Sequence, residues 1–195
     1  MNAPLTYSDT VVIAASPSDV YAVVSDITRT GEWSPVCQEC WWDEGGGPRV
    51  GAFFTGRNVT EDRTWETRCE VIAANEGREF GWSVTEGNVH WTYSMTAVEG
   101  GTELTESWVF TPKGQTFFAK RFGEDAAREV AARATAAHEG IPITLAAIKD
   151  VIERAVGQGA PTHASRHELG HRVASLRRLM TPSCHSLGSM SEMWG

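Results

Sequence analysis

Residues 81–110 read GWSVTEGNVHWTYSMTAVEGGTELTESWVF, and the fold turns on how they alternate. In TELTESWVF, Thr102 to Phe110, one side carries Thr102, Leu104, Glu106, Trp108 and Phe110, and the other carries Glu103, Thr105, Ser107 and Val109. This two-residue period is that of a strand with one apolar face. If Glu99-Gly100 is a two-residue hairpin turn, Met95 lies opposite Leu104, Tyr93 opposite Glu106 and Trp91 opposite Trp108. Glu86-Gly87 in the same role sets Val84 against Val89, Trp82 against Trp91 and Phe80 against Tyr93. Two inward rows then cross three strands: Phe80, Tyr93, Glu106 and Trp82, Trp91, Trp108. The opposite face, with Gly81, Ser83, Thr85, His90, Thr92, Ser94, Thr96, Glu103, Thr105 and Ser107, has the composition of a solvated surface.

Outward from this core, turn signals recur about every ten residues in DEGGGP, NVTED, ANEG, TEGN and VEGG, with strand-length segments between them. The preceding strands contribute Trp65, Thr67, Cys69 and Val71 to the inward face, together with Phe54 and Asn58 from AFFTGRN. Before them, TYSDTVVI (6–13) alternates as a first strand. In ASPSDVYAVVSDI, Ser16 is placed to cap a helix with Pro17 at its first position. GEWSP (31–35) ends that helical region. From about Gly123 the pattern becomes one long Ala-rich helix in which Val130, Ala134, Ala137, Ile141, Leu145, Ile148 and Ile152 fall at three- and four-residue steps. Pro142 predicts a kink near residues 139–141. The expected architecture is α+β: a curved seven-stranded antiparallel sheet gripping a long C-terminal helix.

The 195-residue length suits one core, and the expected division is a domain over 1–155 with a flexible or partly helical tail over 156–195. No apolar run approaches the roughly 18 residues of a membrane span. The N-terminus lacks a basic segment before its short apolar run, so a cytoplasmic location is expected. Net charge is −8 overall, and residues 1–155 carry 13 basic against 23 acidic groups. Such a body repels phosphate backbones, which argues against nucleic acid as a partner. Cys37 and Cys40 form a CxxC, the spacing of a redox pair or of half a zinc site. No second CxxC accompanies it, and on a strand residues three apart face opposite ways, so unconnected reduced thiols are the reading.

The inward face combines very large rings with a facing helix rich in alanine, a pairing that leaves room for a cavity. The expected ligand-binding residues are Phe54, Asn58, Trp65, Thr67, Phe80, Trp82, Trp91, Tyr93, Met95, Leu104, Glu106, Trp108, Ile141 and Leu145. Glu106 is out of place there, because a lone ionised carboxylate in an apolar wall must bind a proton, accept hydrogen bonds or meet water. Directly opposed strand residues have Cβ atoms about 5 Å apart, so Glu106 and Tyr93 can interact. The pair is a structural anchor between strands, a polar handle for a ligand, or a catalytic acid or base with its supporting hydroxyl.

The stretches SPSDVYAVVSD, GEWSP, VGAFFTGRN, TESWVF and RFGED resemble the START-like superfamily, also called SRPBCC, and within it proteins of the polyketide cyclase/dehydrase and lipid-transport type. The resemblance covers roughly residues 6–155. It implies a helix-grip fold with a deep cavity for lipids, polyketides or other hydrophobic compounds, and no shared catalytic signature. Two functions follow as expectations: binding or transport of a hydrophobic small molecule, or a cyclase/dehydratase chemistry in which Glu106 moves a proton and Tyr93 steadies an oxygen. No cofactor is expected, and the oligomeric state is open.

A competing motif lies in the tail. HELGH, His167 to His171, is a literal HExxH, which on a helix can bind zinc with Glu168 activating a water. The extended pattern fails, since Arg177 and Ala174 stand where its third His and its Gly belong. A zinc hydrolase is therefore the remote alternative and no metal site is expected. The plainer reading is a short amphipathic helix with Leu169, Val173, Leu176 and Met180 along one side.

Overall fold

The computed structural model describes residues 3–157. The HELGH motif, Cys184 and the other readings of the tail lie outside the described residues. The chain runs β1 (Leu5–Ile13), α1 (Pro17–Val24), a 3-10 segment (Ile27–Glu32), then β2 (Cys37–Trp42), β3 (Phe53–Thr60), β4 (Arg63–Asn75), β5 (Glu79–Val84), β6 (Val89–Val98) and β7 (Gly101–Phe110). Two helices follow, α2 (Pro112–Phe122) and α3 (Ala126–Gly157). The sheet has seven strands in the order β1-β7-β6-β5-β4-β3-β2, and every neighbouring pair is antiparallel. This is the α+β helix-grip arrangement.

The hairpin registers follow from the turns. Tyr93 pairs with Glu106, Trp91 with Trp108 and Met95 with Leu104 across β6 and β7, and Trp82 pairs with Trp91 and Phe80 with Tyr93 across β5 and β6. The β5–β6 connection is a 3-10 turn over Thr85–Gly87 rather than a two-residue loop; its midpoint is unchanged, so the register survives. At the β7 end, Gly101 has φ +156°, and a Cβ there would lie 2.0 Å from the carbonyl oxygen of Ile13. Only glycine lets β1 close on β7 at that point. On the outer face Gly81 and Ser83 are buried rather than solvated; Ser83 is flanked in register by the longer Glu70 and His90.

Helix starts obey capping chemistry. The Ser16 hydroxyl accepts the Asp19 N–H at 3.2 Å with Pro17 at the first position of α1. The same device recurs at Thr111-Pro112, where the Thr111 hydroxyl accepts the Gly114 N–H at 3.1 Å and opens α2. That helix is an addition to the single long helix expected. Thr111 also donates to the carbonyl oxygen of Gly87, tying α2 to the β5–β6 turn.

The long helix α3 runs unbroken through Pro142. It buries Ala137, Ile141, Leu145, Ile148 and Ile152 against the sheet, as its apolar stripe requires. Its far end is fastened to β1: the Glu153 carboxylate accepts the Ala14 N–H at 2.9 Å, and Lys149 donates to the Val12 carbonyl oxygen at 2.6 Å. Tyr7 of β1 stacks on His138 with ring centroids 3.9 Å apart. The dry core between these layers includes Ile13, Leu104, Trp108, Phe110, Phe118 and Ile148, each at most 2% exposed. Burial of each such side chain stabilises the fold by about 1.5–3 kcal/mol.

Candidate functional site: an acid in an aromatic cavity

Where the sheet curves away from α3, packing leaves a cavity of about 210 Å³. Its sheet wall includes Phe54, Asn58, Thr67, Phe80, Trp82 and Trp91, with Tyr93 and Glu106 beside them. Besides Arg133 and Ile141, the helix contributes small side chains, namely Ala136, Ala137, Gly140 and Thr144. Large rings opposite small helical residues cannot interdigitate fully, and the gap is the result. Trp82 and Trp91 stack with centroids 6.4 Å apart and planes inclined by 12°, and Tyr93 packs on Trp82 at 5.5 Å.

Five of the residues expected at the ligand lie elsewhere. Leu104, Met95 and Leu145 are buried away from the opening. Trp108 turns from the Trp82–Trp91 row into the dry core, where it stacks on Phe110 with centroids 6.0 Å apart. Trp65 is 5% exposed beneath the Arg63 guanidinium, which lies 4.2 Å from its ring centroid. The row of three tryptophans thus divides: two face the cavity and one is structural.

Glu106 is 4% exposed, and its Oε2 has no hydrogen-bond partner. The Tyr93 hydroxyl hydrogen-bonds to its carboxyl, and the Trp33 indole N–H hydrogen-bonds to Tyr93 in turn. Burial drives the Glu106 pKa up to about 8, with the Tyr93 hydrogen bond opposing part of that rise. Tyr93 is itself pushed well above its ordinary value, first by burial and then by the charge of Glu106. At neutral pH the cavity therefore contains a protonated carboxylic acid that can donate a hydrogen bond.

Other polar groups stand around it. Asn58 donates from Nδ2 to the Thr67 hydroxyl at 3.2 Å. Arg133, 8% exposed, reaches the cavity from α3, ion-pairs with Glu129 one turn earlier and lies 5.2 Å from the Phe118 ring centroid. Neither Trp33 nor Arg133 was expected at the site. Arg133 sits four residues before Ala137 on the buried stripe, where counting apolar residues alone passes over a cation. Trp33 follows from no periodicity, because it belongs to the 3-10 segment's end.

The CxxC corrects the strand-parity reading. Pairing between β2 and β3 shifts between Cys37 and Glu39, and this bulge returns Cys37 and Cys40 to one side of the strand, with sulfurs 3.3 Å apart in the cavity wall. Cys37, Cys40 and Cys69 are free thiols. Among the described residues no three His, Cys, Asp or Glu side chains are grouped to hold a metal ion.

A helix-grip sheet enclosing a partly polar cavity defines a START-like scaffold. The chain belongs to the family described as polyketide cyclase/dehydrase and lipid transport, which matches residues 4–141. A solution structure of a Polyketide_cyc-like protein from Corynebacterium glutamicum is similar, with 60% identity over 81% of this chain and 97% of that one and a TM-score of 0.61. The fold is also shared with the di-domain ARO/CYC StfQ of the steffimycin biosynthetic pathway, at 16% identity, 80% of this chain, 52% of that one and TM-score 0.59. Protein NE0264 from Nitrosomonas europaea aligns at 11% identity over 78% of this chain and 97% of that one, with TM-score 0.59. No curated protein matches the sequence. Among the described residues no helix is long and apolar enough to cross a membrane.

Proposed function

We propose that the chain binds a compact hydrophobic molecule bearing a carbonyl or hydroxyl oxygen, which the protonated Glu106 holds by donating a hydrogen bond. The observation that carries this reading is a buried acid with an unpartnered oxygen in a wall otherwise built of rings. An unsatisfied buried polar atom costs about 1–3 kcal/mol, and a ligand oxygen relieves that cost. Size narrows the class. A cavity of about 210 Å³ lies below the roughly 300–1,000 Å³ of sites for drug-sized ligands, while one of about 150 Å³ already admits benzene. A molecule of one or two rings fits better than an extended acyl chain.

The test is a titration of aromatic ketones and phenols followed by tryptophan fluorescence, since Trp82 and Trp91 face the cavity. Binding of a ketone should weaken as pH rises through about 8, when Glu106 ionises and stops donating. Glu106→Gln keeps a donor and should remove that pH dependence; Glu106→Leu should lose about tenfold in affinity, the equivalent of one hydrogen bond. Affinity independent of pH through this range, or unchanged in Glu106→Leu, refutes the reading.

A second reading is favoured by the Glu106–Tyr93 pair: cyclase or dehydratase chemistry. A carboxyl titrating near 8 can take and return a proton at neutral pH, and Tyr93 can support an enolate oxygen. Members of the same fold named ARO/CYC bring such a reaction into consideration. Glu106→Gln should then abolish turnover of a compact, enolisable aromatic β-ketone analogue while leaving its binding intact; turnover retained by Glu106→Gln refutes the role.

A further inference from the structure

Outside the Glu106 pair, the cavity wall also holds two neighbouring thiols. Cys37 and Cys40 have sulfurs 3.3 Å apart, against about 2.05 Å in a disulfide, so about 1.2 Å of approach would join them. Three features build this contact. The bulge at Gln38 undoes the strand alternation that would separate the two side chains. Gly56, which pairs with Cys40, leaves the space they share: a Cβ there would lie 3.1 Å from the Cys37 sulfur and 3.2 Å from the Cys40 sulfur. Thr30, from the 3-10 segment, hydrogen-bonds to Cys40.

The chemistry of the pair follows from the contact. A hydrogen bond from the Cys37 thiol favours the Cys40 thiolate, and the Thr30 hydrogen bond adds to it. Loss of the second proton, from Cys37, is pushed up by that shared hydrogen bond and by burial. One nucleophilic sulfur and one protonated neighbour is the arrangement thiol–disulfide exchange uses. Cys69 is buried and its thiol is pushed up by that burial, which leaves it outside the exchange.

We propose that Cys37 and Cys40 form a reversible dithiol–disulfide couple in the cavity wall, oxidised by small organic disulfides of the glutathione class. Cys37, half-buried where Cys40 is only 6% exposed, is the sulfur the reagent reaches; having passed its proton to the Cys40 thiolate, it attacks a sulfur of the reagent RSSR, forming a mixed disulfide and releasing RS⁻, which takes up the proton the pair had lost. The second thiol gives up its proton, displaces the remaining RS⁻ and closes the internal bond; that RS⁻ takes the proton. The net change is two protein thiols and RSSR converted to one protein disulfide and two RSH. The couple does not depend on which ligand the cavity takes.

The full-length protein is equilibrated without air in glutathione buffers of rising oxidised fraction, trapped with an alkylating agent, and mapped by peptide mass spectrometry. Cys37 and Cys40 should lose alkylation together, in a peptide two hydrogens lighter and free of glutathione, and reduced glutathione should restore both. In Cys40→Ser the remaining Cys37 should instead retain a glutathione adduct, because no partner displaces it. Full alkylation of both thiols in the most oxidising buffer, a persistent adduct on the wild-type pair, or linkage of either to Cys69 or Cys184 overturns the proposal.

Discussion

Replacing Glu106 by glutamine should stabilise the protein by an amount that grows with pH. In the folded chain the carboxyl titrates near 8, against an ordinary value of about 4.5 when unfolded. Below about pH 4.5 both states hold the proton and the group contributes no difference. Between these values the folded state keeps a proton that the unfolded state has released, so rising pH favours unfolding. Each pKa unit is worth about 1.4 kcal/mol, so the wild-type protein should lose roughly that much stability per pH unit from this group. The accumulated loss is about 5 kcal/mol at and above pH 8, where the folded carboxyl has ionised as well. Glutamine has nearly the same shape and does not titrate. Denaturant unfolding of both proteins between about pH 5 and 8, read at a common m-value, should show the stability gap widening by about 4 kcal/mol. Other titrating groups act on both proteins alike and drop out of the difference. Parallel stability curves would refute a neutral buried acid at this position.

Three further outcomes follow from the same geometry. Tyr93→Phe removes the hydrogen bond that holds the Glu106 pKa down, so the infrared carboxyl band should titrate at a higher pH than in the wild type; a lower midpoint contradicts the assignment. Thr111→Ala strips the cap of α2 together with its link to the Gly87 carbonyl, and should cost about 1–2 kcal/mol in denaturant unfolding, whereas a loss within error contradicts the capping role. Leu104→Ala, at a fully buried position beside but not on the cavity, should cost about 3–5 kcal/mol without altering ketone affinity more than twofold; a large affinity change would place Leu104 at the ligand after all.

Much of the fold was legible because turns and alternation constrain each other. Two hairpin midpoints, at Glu99-Gly100 and Glu86-Gly87, and one-sided hydrophobicity were enough to bring Tyr93 beside Glu106. The division of labour among tryptophans was not legible: Trp82, Trp91 and Trp108 are equivalent in alternation, and only the curvature of the sheet relative to α3 decides which of them meets open space. The helix α2 carried a readable signal, since Thr111-Pro112 repeats the Ser16-Pro17 start, but its Lys, Gly and Gln residues mask any apolar stripe. The bulge at Gln38 left no local trace, because a bulge is a property of pairing with β3 rather than of the bulged residues. Its omission sent Cys37 and Cys40 to opposite faces on paper.

That same bulge sits on β2, the last strand in the sheet order, which among the described residues has no strand on its outer side; Gly31 of the 3-10 segment lies close against the Gln38 carbonyl there. A regular, flat border of this kind invites another chain to add itself by backbone pairing, whereas a kinked one presents its donors and acceptors out of step. The irregularity that gathers two sulfurs on the inside should thus make the outer border a poorer template for another strand. Removing one residue between Cys37 and Cys40 to restore even spacing would therefore be expected to produce a stickier, more aggregation-prone protein.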